Sequence, residues 1–104
     1  MIGRLWHGWA APENAARYVE HLRRKTFPAL RGIDGYVDGY VLRRDSGDRV
    51  DFTVLTLWES LQAVRAFAGN DYETAVVPAA ARRVLGGFDE RVTHYDVVVR
   101  AAAA

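Results

Sequence analysis

Two runs of alternating residues, Tyr36–Arg44 and Val50–Trp58, flank the tetrapeptide Asp45-Ser46-Gly47-Asp48. Asp and Ser bond their own backbone in turns, and Gly accepts a positive φ, so the segment predicts a β-hairpin. A hairpin alone is marginal in water, so the rest of the chain has to cover it. In the first strand Tyr36, Asp38, Tyr40 and Leu42 share a face. In the second, Phe52, Val54, Thr56 and Trp58 oppose Thr53, Leu55 and Leu57.

The flanking segments supply the cover. Ile2–Ala10 reads as another strand, with Ile2, Arg4, Trp6 and Gly8 on one face and Gly3, Leu5, His7 and Trp9 on the other. Pro12 opens a helix with an apolar stripe at Ala15, Tyr18, Val19 and Leu22, and Arg23-Arg24-Lys25 suits its C-terminal dipole. Pro28 lies beyond or kinks it, and Gly32 and Gly35 mark its exit. Ser60 caps a second helix to about Ala68, which Gly69-Asn70-Asp71 breaks. A helical continuation is expected next, with Pro78 starting or kinking its last part and Gly86-Gly87 ending it. Phe88–Arg100 holds the last strand.

The order β-α-β-β-α-β with right-handed crossovers favours an α+β, ferredoxin-like fold: a four-stranded antiparallel sheet with both helices on one face. Large apolar residues on both strand faces leave the other face to be covered, and a second copy of the chain is the simplest cover. At 104 residues the chain is expected to form one domain over 1–100, with an alanine tail at 101–104.

Fourteen basic and thirteen acidic residues leave a formal charge of +1, which gives no general drive toward nucleic acid or an anionic membrane. The absence of cysteine excludes disulfides, thiolate metal sites and cysteine nucleophiles. No apolar run approaches the roughly 20 residues of a membrane span. Arg4 and His7 interrupt the only stretch resembling a signal peptide, so a cytoplasmic location is expected.

Adjacent first and last strands can bring His7 and His94 side by side, or one step apart, on one face. A near-neutral imidazole there can take a proton from a phenol or an acidic carbon. The alternative is two ordinary strand histidines. Asp96 adds no recognisable metal spacing, so no metal is expected. His21, beside Glu20 and Arg24, reads as a surface residue. Arg4 shares a face with Trp6 and can hold an oxyanion or an ordinary ion pair. Trp6, Trp9 and Trp58 either line an aromatic pocket or pack a core. Tyr36 and Tyr72 either bond a substrate oxygen or cover core edges.

The stretch Leu55-Thr56-Leu57-Trp58-Glu59-Ser60, followed by Ala63, Phe67, Tyr72 and Ala75, resembles the antibiotic biosynthesis monooxygenase family, which belongs to the dimeric α+β barrels. The likeness runs from about Ile2 to Val98. It implies a homodimer and a cofactor-independent monooxygenase acting on a small aromatic or enolisable molecule. His7 or His94 would take the proton, Arg4 and Tyr36 would steady the oxyanion, and Trp6, Trp9, Trp58, Phe67 and Tyr72 would shape the pocket. Haem-degrading relatives carry an Asn in the first strand, a Trp where Phe67 stands and a His near Ala75-Val76-Val77; this chain has none of them. The competing expectations are an isomerase or decarboxylase working by proton transfer, and a non-catalytic binding dimer.

Overall fold

A computed structural model describes residues 1–103. The first strand, β1 (Ile2–Ala10), leads into helix α1 (Pro12–His21), with Pro12 in its first turn. The helical path does not stop at Lys25. Leu22–Thr26 forms a π-turn, and α2 (Phe27–Arg31) continues it to Gly32. Pro28 accounts for the widening. It has no N–H to offer the carbonyl of Arg24, and its ring crowds that carbonyl in a regular helix. The ladder shifts instead to a wider bond from the Phe27 N–H to the Leu22 carbonyl.

Gly35, at φ +90°, turns the chain into β2 (Tyr36–Ser46), which pairs along its length with β3 (Arg49–Trp58). Ser46 sits opposite Arg49, so the expected four-residue turn is tightened to Gly47-Asp48, with Gly47 at φ +72°. Helix α3 (Leu61–Ala68) begins where the Ser60 hydroxyl accepts the Ala63 N–H at 3.1 Å, the expected cap.

The next segment departs from expectation. Residues 70–78 are not helical, and only α4 (Ala79–Val84) forms, after Pro78. The last strand is also split, into β4 (Gly87–Phe88) and β5 (Thr93–Asp96). Both changes have one cause. Glu73–Ala75 pairs its backbone with Glu90–Val92, through Val92 N–H to the Glu73 carbonyl (2.7 Å) and Ala75 N–H to the Glu90 carbonyl (2.8 Å). Asp89 still bonds β1 through its N–H to the His7 carbonyl (2.9 Å), and residues 90–92 then swing away from β1, whose edge is taken by β4 at Gly8 and Trp9 and by β5 at Ile2–Leu5. Of the expected alanine tail, Ala101–Ala103 is exposed without regular structure, and Ala104 lies outside the described residues.

The sheet order is β2-β3-β1, with β4 and β5 sharing the outer edge of β1, all antiparallel. This is the expected α+β ferredoxin-like arrangement. Ala10, Val50 and Phe52 pack with Ala15, Tyr18 and Leu22 of the helical layer, while Trp58 packs with Leu30 and Val64. The opposite face carries Leu5, Leu55, Tyr40, Leu42 and Tyr95, and no helix among the described residues covers it. No helix among the described residues is long and apolar enough to cross a membrane.

Candidate functional site

On the helical side, the residues of β1 and β3 that point into the layer stop short of the helices and leave a cavity of about 410 Å³. That is within the range of small-ligand sites, roughly 300–1,000 Å³. The floor is Arg4, Trp6, Val54 and Thr56 of the sheet. One wall is the helical run, where Tyr18, His21, Leu22 and Lys25 recur at helical spacing and the π-turn adds Thr26. Phe67 of α3 and the segment from Val76 to Ala81 close the other side. Among the described residues no Asp or Glu lines the cavity.

Arg4 is the most unusual member. It is 5% exposed, and among the described residues it has no carboxylate partner. Burial lowers its pKa to about 10, so it remains a cation at neutral pH. Its Nη1 donates to the Tyr72 carbonyl and to His94 Nε2 (3.1 Å), and its Nη2 donates to the Thr74 carbonyl (3.3 Å). Of the five guanidinium N–H groups these bonds engage three. The Nε–H and one Nη2–H have no acceptor among the described residues. The ring of Phe67 also lies against the guanidinium, with its centroid 5.6 Å away.

The remaining walls are held rigidly. Trp6 donates its indole N–H to the Asp89 carbonyl at 2.8 Å and packs between Tyr18 and Phe88. Phe67 stacks on Trp58 at 5.3 Å, and Trp58 in turn donates to Thr56 Oγ1 at 2.9 Å. Burial raises the pKa of the Tyr18 phenol, which keeps it protonated.

The expected pair of histidines does not form. His94 sits opposite Arg4 on the helical side, whereas His7 sits opposite Thr53 on the helix-free face. Adjacent positions on a strand point to opposite faces, so the odd spacing of His7 from Arg4 separates the two imidazoles. His7 instead meets Asp51, with Nε2 3.1 Å from Oδ1, and Asp89 at 3.9 Å. The Ser46 hydroxyl donates to Asp51 at 2.7 Å and, with His7 and Arg49, holds that carboxyl below its usual range. Trp9 shares this face, under the Arg49 guanidinium at 4.7 Å.

Of the aromatic residues expected around a ligand, Trp6 and Phe67 line the cavity. Trp58 is wholly buried behind Phe67 and serves the core. Tyr72 contributes its carbonyl to Arg4 and sets its ring edge-on to His94 at 5.2 Å. Tyr36 packs edge-on against Trp58 and opens to a different groove, of about 500 Å³, between α2 and β2. Of the charged side chains of that groove, Arg23 and Arg31 are exposed to solvent and Asp38 is half-buried.

His21 corrects a further expectation. It lines the cavity, and its Nε2 is buried without a hydrogen-bond partner. The signal was present in the sequence: His21 lies three residues from Tyr18 and four from Lys25, on the stripe that faces the sheet.

Comparisons with solved structures agree with the fold. A Bacillus cereus protein assigned to the antibiotic biosynthesis monooxygenases superposes with a TM-score of 0.66 at 16% identity, covering 100% of this chain and 97% of that one. The haem-degrader MhuD of Mycobacterium tuberculosis, with two haems bound, gives 0.62 at 20% identity, covering 98% and 100%. The monooxygenase ActVA-Orf6 of Streptomyces coelicolor, in complex with nanaomycin D, gives 0.61 at 19% identity, covering 99% and 90%. No curated protein matches the chain. The family model for antibiotic biosynthesis monooxygenase matches residues 1–79, most of the 104-residue chain, and the chain belongs to that family.

Proposed function

We propose that this protein is a cofactor-independent monooxygenase acting on a small aromatic, phenolic or enolisable substrate in the Arg4 cavity. The observation that carries the reading is a buried guanidinium, free of any acid, with two unused N–H groups beside an apolar cavity. A buried cation without a counter-ion is costly, and an oxyanion formed on the substrate would offset that cost. Trp6 and Phe67 provide flat walls for a ring, and the absence of acidic residues from the lining favours a negatively charged ligand.

In this reading the substrate loses a proton and its charge spreads onto oxygen and the ring carbon. Arg4 steadies the oxygen. The carbon then bonds to dioxygen, and the peroxide so formed loses water. One oxygen atom stays as a carbonyl, the other leaves as water carrying the proton lost at the start and the hydrogen of the attacked carbon, and the substrate supplies the electrons. The exposed apolar residues of the helix-free face, Tyr40, Leu42 and Tyr95, support a homodimer formed through the sheets.

The test is thermal stability against a panel of phenols, anthrones and haem, with dissolved oxygen followed for every stabilising compound. The reading expects an aromatic ligand that raises Tm and consumes oxygen without added metal or flavin, with both effects lost in Arg4→Gln. Stabilisation without oxygen uptake would transfer the site to proton-transfer chemistry such as isomerisation. A defined Soret band on haem addition would transfer it to haem.

A further inference from the structure

We propose that the ligand of the Arg4 cavity carries an acid group at the end opposite its phenol or enol, and that Lys25 takes this group at the cavity mouth. The inference rests on the reading of the cavity as a site for phenolic or enolisable molecules. It narrows that class to hydroxylated aromatic acids and their enolic counterparts.

Three observations carry it. The first is depth. Arg4 and Lys25 line the same cavity, but Arg4 is 5% exposed on the sheet floor, whereas Lys25 is exposed on the helical wall. A ligand running from floor to mouth meets one cation at each end, with the apolar side chains of Trp6, Leu22 and Val54 between them.

The second is the lack of a competing carboxylate. Among the described residues no Asp or Glu lines the cavity, and no ion pair includes Lys25. Glu20, the acidic residue nearest to it in sequence, is taken by Arg24.

The third is the way the helical run sorts three consecutive bases. Arg23 lines the other groove, beside β2, and Arg24 pairs with Glu20 in solvent. Only Lys25 reaches the cavity, together with Thr26, both within the π-turn. Such turns are frequent at functional sites. Lys25 is also the only lysine among the fourteen basic residues of the chain.

The chemistry of the two cations fixes which end of the ligand goes where. A carboxylate pushed down onto Arg4 would lose its water against apolar walls, at a high cost. A phenol is far less strongly hydrated and enters more easily. At the mouth the acid group keeps part of its water and still meets a charge. An ammonium there is a mobile point charge with three donors, and it holds such a group without demanding a planar fit.

The test compares 2-naphthol with 6-hydroxy-2-naphthoic acid, whose hydroxyl and carboxylate stand at opposite ends of one ring system. Calorimetry gives the affinity of each for wild type, Lys25→Met and Lys25→Arg. Wild type is expected to bind the acid about fivefold more tightly than the naphthol, the scale of a solvent-exposed ion pair. That preference should vanish in Lys25→Met, persist in Lys25→Arg and shrink as salt is raised. The affinity for 2-naphthol should be the same in all three proteins, which also shows that the variants keep the cavity. Binding of the naphthol with no preference for the acid would overturn the proposal and leave the cavity reading intact. So would a preference that survives Lys25→Met, because the acid would then be resting on Arg4. Failure of both compounds to bind wild type would remove the proposal and the reading together.

Discussion

Across the β1–β5 pair, Arg4 Nη1 and His94 Nε2 lie 3.1 Å apart on the helical side of the sheet. A guanidinium only donates, so His94 must accept through Nε2 and keep its hydrogen on Nδ1. That Nδ1 is buried without a partner. The imidazole is therefore held neutral, in one tautomer, as the far support of the cation that floors the cavity.

This arrangement sets a pH dependence. Burial first, and then the Arg4 charge, lowers the proton affinity of His94 below its ordinary value near 6.5, against a smaller opposing effect of Glu73. Above that value both folded and unfolded chains hold the ring neutral, and its contribution to stability is fully present. As pH falls through the ordinary imidazole range, the unfolded chain binds a proton that the fold resists, and that contribution is lost. Urea midpoints should fall between about pH 7.5 and about pH 5.5, and His94→Gln should reduce the fall. An identical fall in wild type and variant would assign the acid sensitivity to other groups.

His7 gives the complementary expectation. Its imidazole bonds Asp51 on the helix-free face, away from the cavity. His7→Phe should leave the affinity for a phenolic ligand unchanged, while removing part of the downward shift of the Asp51 carboxyl. Calorimetric titration checks the first, and the carboxyl ¹³C resonance of Asp51 across acidic pH checks the second. Loss of ligand affinity in this variant would show that the two faces are coupled.

The contrast between these histidines also marks how far the sequence could be read. The hairpin, the Ser60 cap and the β-α-β-β-α-β order followed from local chemistry: Gly at a turn, a hydroxyl before a helix, alternation along strands. The pairing of His94 with Arg4 depended on register between strands at opposite ends of the chain, where a slip of one residue exchanges faces. The split of the last strand depended on Glu73–Ala75 competing for its backbone, and no local pattern announces that competition. His21 was hidden differently. Its charged neighbours Glu20 and Arg24 suggested solvent, and only the stripe running from Tyr18 to Lys25 points it inward.

Two glycines separate backbone strain from crowding. Gly47 has φ +72°, and a methyl group added there would meet nothing within 4 Å, so Gly47→Ala meets strain alone, about 1–2 kcal/mol. Gly35 has φ +90°, and a methyl group there would sit 2.5 Å from the Ala63 Cβ at the start of α3. Gly35→Ala adds overpacking to the same strain, for about 2–5 kcal/mol in total. Urea unfolding of both variants should rank Gly35→Ala well below Gly47→Ala. Equal losses would mean that α3 moves freely to admit the methyl group.

The helix-free face carries the expectation of self-association. Tyr40, Leu55 and Leu5 stand in one row across β2, β3 and β1, and Tyr95 stands in the next row opposite Gly3. Tyr40 and Tyr95 are each about half exposed, and Leu42 is more so. If two copies bury this face, Leu55→Asp places a carboxylate in each half of an apolar interface, at a cost on the order of several kcal/mol. In a single chain the same carboxylate faces water and costs the fold little. Sedimentation should therefore find wild type at twice the chain mass and Leu55→Asp at the chain mass, with matching far-ultraviolet circular dichroism. A monomeric wild type, or a variant that still pairs, would show that the sheets are not what joins the copies.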